Sequence, residues 1–297
     1  MLLGLLVFAA CSANPSGSEA PLTTAHRAAA GYWPANSRAA VSGSIAAGFE
    51  AIEVDVLLTK DGVPVLAHDP VLDPEECTTA RGKELEEPVR IDSVRWNALQ
   101  EDFLCGGTPD PDHPRAEVVA ESLMSLDELF LALQDADPNL GLQLDIKQEP
   151  DWTPSPEDFA QEVLKRWWQA DLPQQMWISA GRAETLQAFE DRAAERGEDL
   201  HTVRIHPLGG YGDSDVGVAL GAEWDSLLGQ GNYLDLIAES GSDGIYVNWE
   251  VARRGELLRV SRQGYETGLW TVNDPDVRRE LGSWPVDTWI TDYPAGL

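Results

Sequence analysis

Two carboxylates interrupt an otherwise apolar stretch early in the chain. Glu53 and Asp55 are two residues apart between Ala51 and Leu58. If this stretch is a β-strand, their side chains share one face, because side chains alternate along a strand. Like charges on one buried face are costly unless a cation compensates them. We therefore expect a metal ion at this face, although taken alone the pair is more simply explained by exposed carboxylates on an edge strand.

A second apolar stretch repeats this pattern with Asp145 and Lys147. Alone, these two residues are more simply explained as a structural ion pair. If the two stretches are neighbouring strands of a barrel, however, their polar faces meet. Glu53, Asp55 and Asp145 then form an oxygen-rich site for one divalent cation, Mg²⁺ or Ca²⁺. Lys147 and Arg27 would lie beside it as partners for a phosphate group.

Two histidines stand at the ends of predicted strands, each next to a charged residue. His26 precedes Arg27, and His68 precedes Asp69. A single histidine at such a position is more often structural, but two of them suit general acid and base catalysis near neutral pH. We interpret the other three histidines as structural or solvated: His113, His201 and His206.

The elements that must position these residues alternate between strand and helix. The strand-like segments are centred near Thr24, Val54, Leu144, Ile178, Val203, Tyr246, Leu269 and Trp289. Such alternation over about 250 residues predicts a (β/α)8 TIM barrel. A doubly wound open sheet is the alternative, and it is disfavoured because the charged residues lie near the C-terminal ends of several strands. Trp270 would lie at one such end and face the interior, or else be a plain core residue.

An irregular segment from about residue 70 to 121 interrupts this alternation. It follows a hairpin-type turn at residues 60–62, after which residues 63–67 are expected to fold back antiparallel. It lacks the apolar periodicity for a core of its own, so we interpret it as an insertion over the site. It contains Cys77 and Cys105, which are a candidate disulfide in an exported chain and otherwise two free thiols.

Residues 1–21 are predicted to be a leader and tether before the barrel domain of residues 22–297. Met1 to Ala10 is apolar and too short to span a bilayer, like the core of a signal peptide, although no Lys or Arg precedes it. The stretch ending at Cys11 resembles a bacterial lipobox, which makes Cys11 the candidate for lipidation. We expect an exported lipoprotein at the cell envelope, or otherwise a periplasmic or secreted protein.

The charge of the chain limits its partners. It has 51 acidic and 21 basic residues and a formal net charge of -30. Such a surface repels nucleic acid and anionic lipid headgroups. We therefore expect no nucleic-acid partner, and membrane contact only through the lipid anchor. If the substrate is a small anionic phosphodiester, basic residues inside the site become more important.

Four blocks of sequence resemble the glycerophosphodiester phosphodiesterase family. They occur in family order as Ala25–Ser37, Ile52–Asp69, Leu144–Lys147, and Leu269–Asp274 with Trp289–Pro294. The first is similar to H-R-G followed by P-E-N-T. The second matches E-x-D, T-K-D-G and H-D almost residue for residue.

This resemblance implies a (β/α)8 barrel and metal-dependent hydrolysis of glycerophosphodiesters to glycerol 3-phosphate and an alcohol. By motif position, the implied roles are metal ligands (Glu53, Asp55 and Asp145), an acid–base pair (His26 and His68), phosphate binders (Arg27 and Lys147) and a pocket wall (Trp270).

Three residues depart from the family pattern. Ala28 replaces a Gly, Ala35 replaces the Glu of P-E-N-T, and Asp145 stands where most members have Glu. The related sphingomyelinase D-type enzymes carry Asp at the last position and expel an alcohol by internal attack. The alternatives are therefore a phospholipid lyase that makes a cyclic phosphate and an inactive relative that binds ligand without turnover.

Overall fold

The alternation of elements is confirmed by a computed structural model, which describes residues 20–206 and 232–294. Eight parallel strands form a closed barrel. They are β1 (Leu22–Ala25), β2 (Ala51–Leu58), β3 (Gly141–Ile146), β4 (Met176–Ala180), β5 (Thr202–Ile205), β6 (Gly244–Asn248), β7 (Glu266–Trp270) and β8 (Thr288–Thr291). Strand β1 closes the barrel because it pairs with both β8 and β2.

Helices alternate with these strands. Their bounds are Arg38–Ala47, Leu126–Leu133, Pro156–Ala170, Ala183–Ala194, Tyr233–Ser240, Arg254–Arg262 and Pro275–Leu281. The side chain of Ser37 caps the first of them, and Gly48 ends it with a left-handed φ of 69°. Ser125 and Glu128 form a capping box before Leu126.

The barrel interior carries an apolar layer below the polar residues. Ala51, Trp177, Tyr246 and Ile290 come from four different strands and pack in one cluster. Glu53 and Asp55 follow Ala51 at every second position along β2, so they face the same side of the strand. They therefore also face the interior, nearer the C-terminal end of the strand. The intervening residues Ile52, Val54 and Val56 belong to the separate apolar core that includes the helices' buried side chains.

The insertion after β2 has more regular structure than its sequence pattern indicates. Strand Pro64–Leu66 folds back antiparallel on β2, as the turn at residues 60–62 predicts. Beyond it come two small antiparallel sheets, a 3₁₀ helix and one α-helix. These elements are Val71–Leu72 with Val89–Arg90, Cys77–Thr79 with Phe103–Cys105, Ile91–Ser93 and Trp96–Asp102. Strands of two or three residues are too short to show alternation, so the pattern does not reveal them.

Cys77 and Cys105 form a disulfide inside this insertion. They are directly opposite each other in the antiparallel pair, with Cα atoms 4.1 Å apart. The next residue, Gly106, has a φ of 73°, and a Cβ atom there would lie 2.7 Å from the Cβ atom of Pro34. Its backbone therefore packs directly on the loop that follows β1, which fixes the insertion over that loop.

Replacing Cys77 and Cys105 together with serine should lower the free energy of unfolding by about 3 kcal/mol, because the cross-link closes a 28-residue separation in the unfolded chain. Chemical denaturation of the wild type and the double variant measures this difference. A reducing agent should shift the wild-type midpoint and leave the variant unchanged. Equal midpoints for oxidised and reduced wild type would contradict the prediction.

The predicted leader lies outside the described residues, and so does its lipidation candidate, Cys11. Within residues 20–206 and 232–294, no helix combines the length and apolar character that crossing a bilayer requires.

Candidate active site

Three buried carboxylates meet at the C-terminal ends of β2 and β3. Asp55 lies opposite Asp145 in the register of the two strands. Oxygen atoms of Glu53, Asp55 and Asp145 lie within 4.8 Å of one another. Their exposed fractions are 3%, 1% and 8%. The structure therefore brings together the three residues that the sequence singles out as metal ligands.

The two predicted phosphate-binding cations contact these carboxylates. Lys147 Nζ lies 3.0 Å from Asp55 Oδ1 and 2.5 Å from Asp145 Oδ2. Arg27 Nε lies 3.5 Å from Asp55 Oδ2, while the Arg27 backbone N–H donates a 2.7 Å hydrogen bond to Glu53 Oε2. The cluster thus combines three carboxylates with two permanent cations, and one negative charge is left without a cationic partner.

The pKa values of the cluster reflect this imbalance. Burial, together with the charges of Asp55 and Asp145, raises the pKa of Glu53 well above its usual range. Burial opposes ionisation of Asp55 as well, yet Lys147 and neighbouring cations hold its pKa well below the usual range. An additional cation would therefore favour the ionised form of Glu53.

The site fits a hard divalent cation. The donors are carboxylate oxygens, which are the ligands that Mg²⁺ and Ca²⁺ prefer. Asp55 Oδ1 is buried, and its ion pair with Lys147 at 3.0 Å leaves a second lone pair of this oxygen available to a cation. A cation here would also offset the repulsion that raises the pKa of Glu53.

Neighbouring side chains that sequence reasoning missed hold two of the carboxylates in place. Asn36 Nδ2 donates to Asp55 Oδ2 at 2.7 Å, and Asn36 Oδ1 accepts from the Asp55 backbone N–H at 3.1 Å. Ser179 Oγ donates to Asp145 Oδ1 at 2.8 Å and in turn accepts from Gln143 Nε2 at 2.9 Å. Only Asn36 had a sequence signal, because it occupies the N of the P-E-N-T block.

Each predicted catalytic histidine is oriented by a carboxylate. His26 Nδ1 lies 2.7 Å from Asp292 Oδ1, and His68 Nδ1 lies 3.0 Å from Asp69 Oδ1. Burial and the charge of Lys147 lower the pKa of His68 from its ordinary value. His68 is therefore neutral at pH 7, and its Nε2 atom is the nitrogen left for proton transfer.

His113 lies between two carboxylates. Its Nε2 atom lies 3.1 Å from Asp292 Oδ2 and its Nδ1 atom 2.7 Å from Asp110 Oδ2, so the ring has two charged partners that its sequence context does not reveal. The hydrogen bond with Asp292 is the largest influence raising the pKa of His113 to about 9. Asp292 also accepts a 2.6 Å hydrogen bond from Asn273 Nδ2.

Comparison with known proteins identifies the family of this chain. The sequence model of the glycerophosphoryl diester phosphodiesterase family matches residues 26–296. The chain belongs to this family. YhdW of Bacillus subtilis, which carries a glycerophosphodiester phosphodiesterase name, is 25% identical over 91% of this chain and 93% of its own length.

Solved structures of family proteins share the fold. One from Silicibacter pomeroyi superposes with a TM-score of 0.80 and 21% identity, covering 95% of this chain and 93% of that one. The Oleispira antarctica phosphodiesterase, solved with the product sn-glycerol-3-phosphate, superposes with a TM-score of 0.66 and 18% identity, covering 93% and 94%. At these identities the matches establish the common barrel fold.

The departures from the family pattern have local structural consequences. Ala28 has a φ of 58°, in the left-handed region that favours glycine. The alanine there costs about 1 kcal/mol of local strain. Ala35 is exposed, while the adjacent Asn36 makes the contacts with Asp55. The shorter Asp145 is held by Ser179 and Lys147.

The remaining predicted positions divide between the two ends of the barrel. Trp270 ends β7 and packs against the interior apolar cluster, with a buried Nε1 atom that makes no hydrogen bond among the described residues. His201 immediately precedes β5, at the opposite end, and lies 3.2 Å from Asp243 and 2.7 Å from Glu266. His201 therefore belongs to the face that serves stability in barrels.

Proposed function

We propose that this protein is a metal-dependent phosphodiesterase that hydrolyses glycerophosphodiesters to glycerol 3-phosphate and an alcohol. The main observation that supports this proposal is the buried triad of carboxylates with two cations at its edge. His26 and His68 both lie within electrostatic reach of Asp55. Family membership supplies the substrate class for this arrangement.

We propose that Glu53, Asp55 and Asp145 hold one divalent cation, Mg²⁺ or Ca²⁺. When bound, the cation would neutralise charge on a phosphate oxygen. Arg27 and Lys147 would hold the other phosphate oxygens and spread the charge that develops in the transition state. These cations matter more in a chain of net charge -30, whose surface repels an anionic substrate.

The two histidines would carry the protons. Neutral His68 accepts a proton at Nε2 from the attacking water as the new P–O bond forms. The Asp292 carboxylate fixes the His26 ring through Nδ1, which leaves His26 Nε2 to donate a proton to the leaving alcohol oxygen as its P–O bond breaks. Trp270 forms part of the pocket wall.

Glycerol 3-phosphate release from glycerophosphocholine should require added Mg²⁺ or Ca²⁺ and stop with a chelator, because the oxygen cluster needs its cation. Resupply of the metal should restore the rate. Release that survives complete chelation would contradict the metal-dependent mechanism.

Phosphorus NMR of the same reaction separates the alternative functions. A cyclic phosphate product would favour the lyase, for which Asp145 is the motivating residue. Binding without turnover on a panel of glycerophosphodiesters and lysophospholipids would favour an inactive relative.

We also propose that the chain is exported and anchored by a lipid on Cys11, or otherwise released into the periplasm or medium. The apolar run of residues 1–10 motivates this proposal, and the disulfide between Cys77 and Cys105 supports an oxidising compartment. Mass spectrometry of the mature N-terminus tests it. An unmodified Met1 in the mature protein would overturn it.

A further inference from the structure

A continuous line of polar contacts joins the insertion to a catalytic histidine. Asp110 Oδ2 lies 2.7 Å from His113 Nδ1, and His113 Nε2 lies 3.1 Å from Asp292 Oδ2. The other oxygen of Asp292, Oδ1, lies 2.7 Å from His26 Nδ1. Residues from three distant parts of the chain therefore meet at one carboxylate.

The line of contacts is well enclosed. The side chains of His113 and Asp292 are 13% and 6% exposed. The Tyr293 ring packs beside His113 at a centroid distance of 6.2 Å, and Asn273 Nδ2 binds the same Asp292 oxygen as His113 does. Both ring nitrogens of His113 are thus engaged, and the carboxylate of Asp292 is fully satisfied.

Backbone contacts and a disulfide fix the position of the insertion near His113. Glu117 N–H donates a 2.8 Å hydrogen bond to the Tyr32 carbonyl in the loop after β1. Gly106 packs directly on Pro34 of the same loop. The Cys77–Cys105 disulfide lies immediately before Gly106. The backbone that carries His113 therefore has a defined position relative to His26.

We propose that His113 is a positioning residue that acts on His26 through Asp292. It holds Asp292 so that Oδ1 faces His26 Nδ1, and it places a positive charge on the far side of the carboxylate. The insertion is then a working part of the active site in addition to a cover over it. The kinetic consequences rest on the proposed function, whereas the structural consequence does not.

The charged groups around His113 determine how its removal affects Asp292 and His26. Asp110 faces its Nδ1 side and Asp292 its Nε2 side, with Tyr293 packed beside the ring and His26 beyond Asp292. The pKa of His113 is raised to about 9, so this ring is an imidazolium at neutral pH. Without the His113 ring, Asp292 loses a hydrogen-bond donor and a compensating positive charge. The position of the Asp292 carboxylate, and with it the orientation of the His26 ring, then changes.

Replacing His113 with alanine should lower kcat for a glycerophosphodiester by about 10- to 100-fold, the usual effect of losing an orienting partner, and should change KM much less. Glutamine keeps an N–H donor but no charge, so His113→Gln should recover part of kcat and still show a displaced pH profile of kcat/KM. His201→Ala is the matched control, because His201 also lies between two carboxylates but at the opposite end of the barrel. It should affect thermal stability and leave the pH profile unchanged.

Nitrogen-15 NMR of the His26 ring gives a readout that needs no turnover. The wild type should show one dominant state with Nδ1 protonated, and His113→Ala should show altered ring-nitrogen shifts. If His113→Ala and His113→Gln both keep the wild-type ring-nitrogen shifts of His26, the wild-type kcat and the wild-type pH profile, the proposal is overturned. If the wild type hydrolyses no diester, the proposed function fails, and the ring shifts alone decide whether His113 positions His26.

Discussion

Replacing His68 with glutamine should lower kcat by about two to four orders of magnitude, the usual contribution of a general base. Glutamine has a similar size and polarity, and among the described residues the ring it replaces makes one side-chain hydrogen bond, to the neighbouring Asp69. Because the replacement matches the ring in size, the fold should survive, and the loss should appear in kcat rather than in the melting temperature. Steady-state kinetics with a saturating divalent cation measures it.

The pH profile gives a second test of His68. Burial and the charge of Lys147 lower the pKa of this imidazole, and a bound divalent cation would lower it further. A base must be neutral to act, so the acid limb of kcat/KM should lie below pH 6.5, the ordinary value for histidine.

Asp69→Asn is the graded control for this assignment. It removes the partner of Nδ1 while His68 remains, and Asp69 is 61% exposed, so we expect a smaller loss of rate than for His68→Gln. Near-normal turnover by His68→Gln would remove this residue from the mechanism.

The part of the site that lies on regular strands could be predicted from the sequence. Side chains alternate along β2, so Glu53 and Asp55 share one face. Two carboxylates on a buried apolar strand need cations nearby to offset the cost of burying their charge. The same rule applies to Asp145 on β3 and to Lys147, which directly follows that strand. Because adjacent parallel strands bring equivalent positions side by side, the pairing of Asp55 with Asp145 needs little beyond the barrel itself.

The contacts made by loops could not be predicted in this way. His26 and Asp292 are 266 residues apart and meet because β1 and β8 close the barrel. His113 reaches Asp292 from an insertion whose strands are too short to have a readable period. Asp292 was present in the resemblance to the family, within its last block, yet nothing in that block distinguished a carboxylate that orients a histidine from one exposed at a turn.

Replacing Asp55 with asparagine should lower kcat/KM by about 10³-fold or more, because it removes the most central negative charge of the proposed cation site. Asp55 contacts Arg27, Lys147 and Asn36 and belongs to the carboxylate triad. The change also leaves Arg27 and Lys147 partly uncompensated. Breaking a buried ion pair from one side costs about 3–5 kcal/mol of stability. Thermal melting must therefore accompany the kinetics.

The metal-induced shift in melting temperature separates these two effects. A cation at 100 times its Kd should stabilise the wild type by about 2.7 kcal/mol, and Asp55→Asn should lose most of this increment even under conditions where it is folded. Asn36→Ala is the matched control, since it removes the side-chain hydrogen bonds to Asp55 but no charge, and it should keep the metal-induced shift. A folded Asp55→Asn protein that retains both the shift and metal-dependent turnover would show that this carboxylate does not hold the cation, because both properties depend on the bound metal.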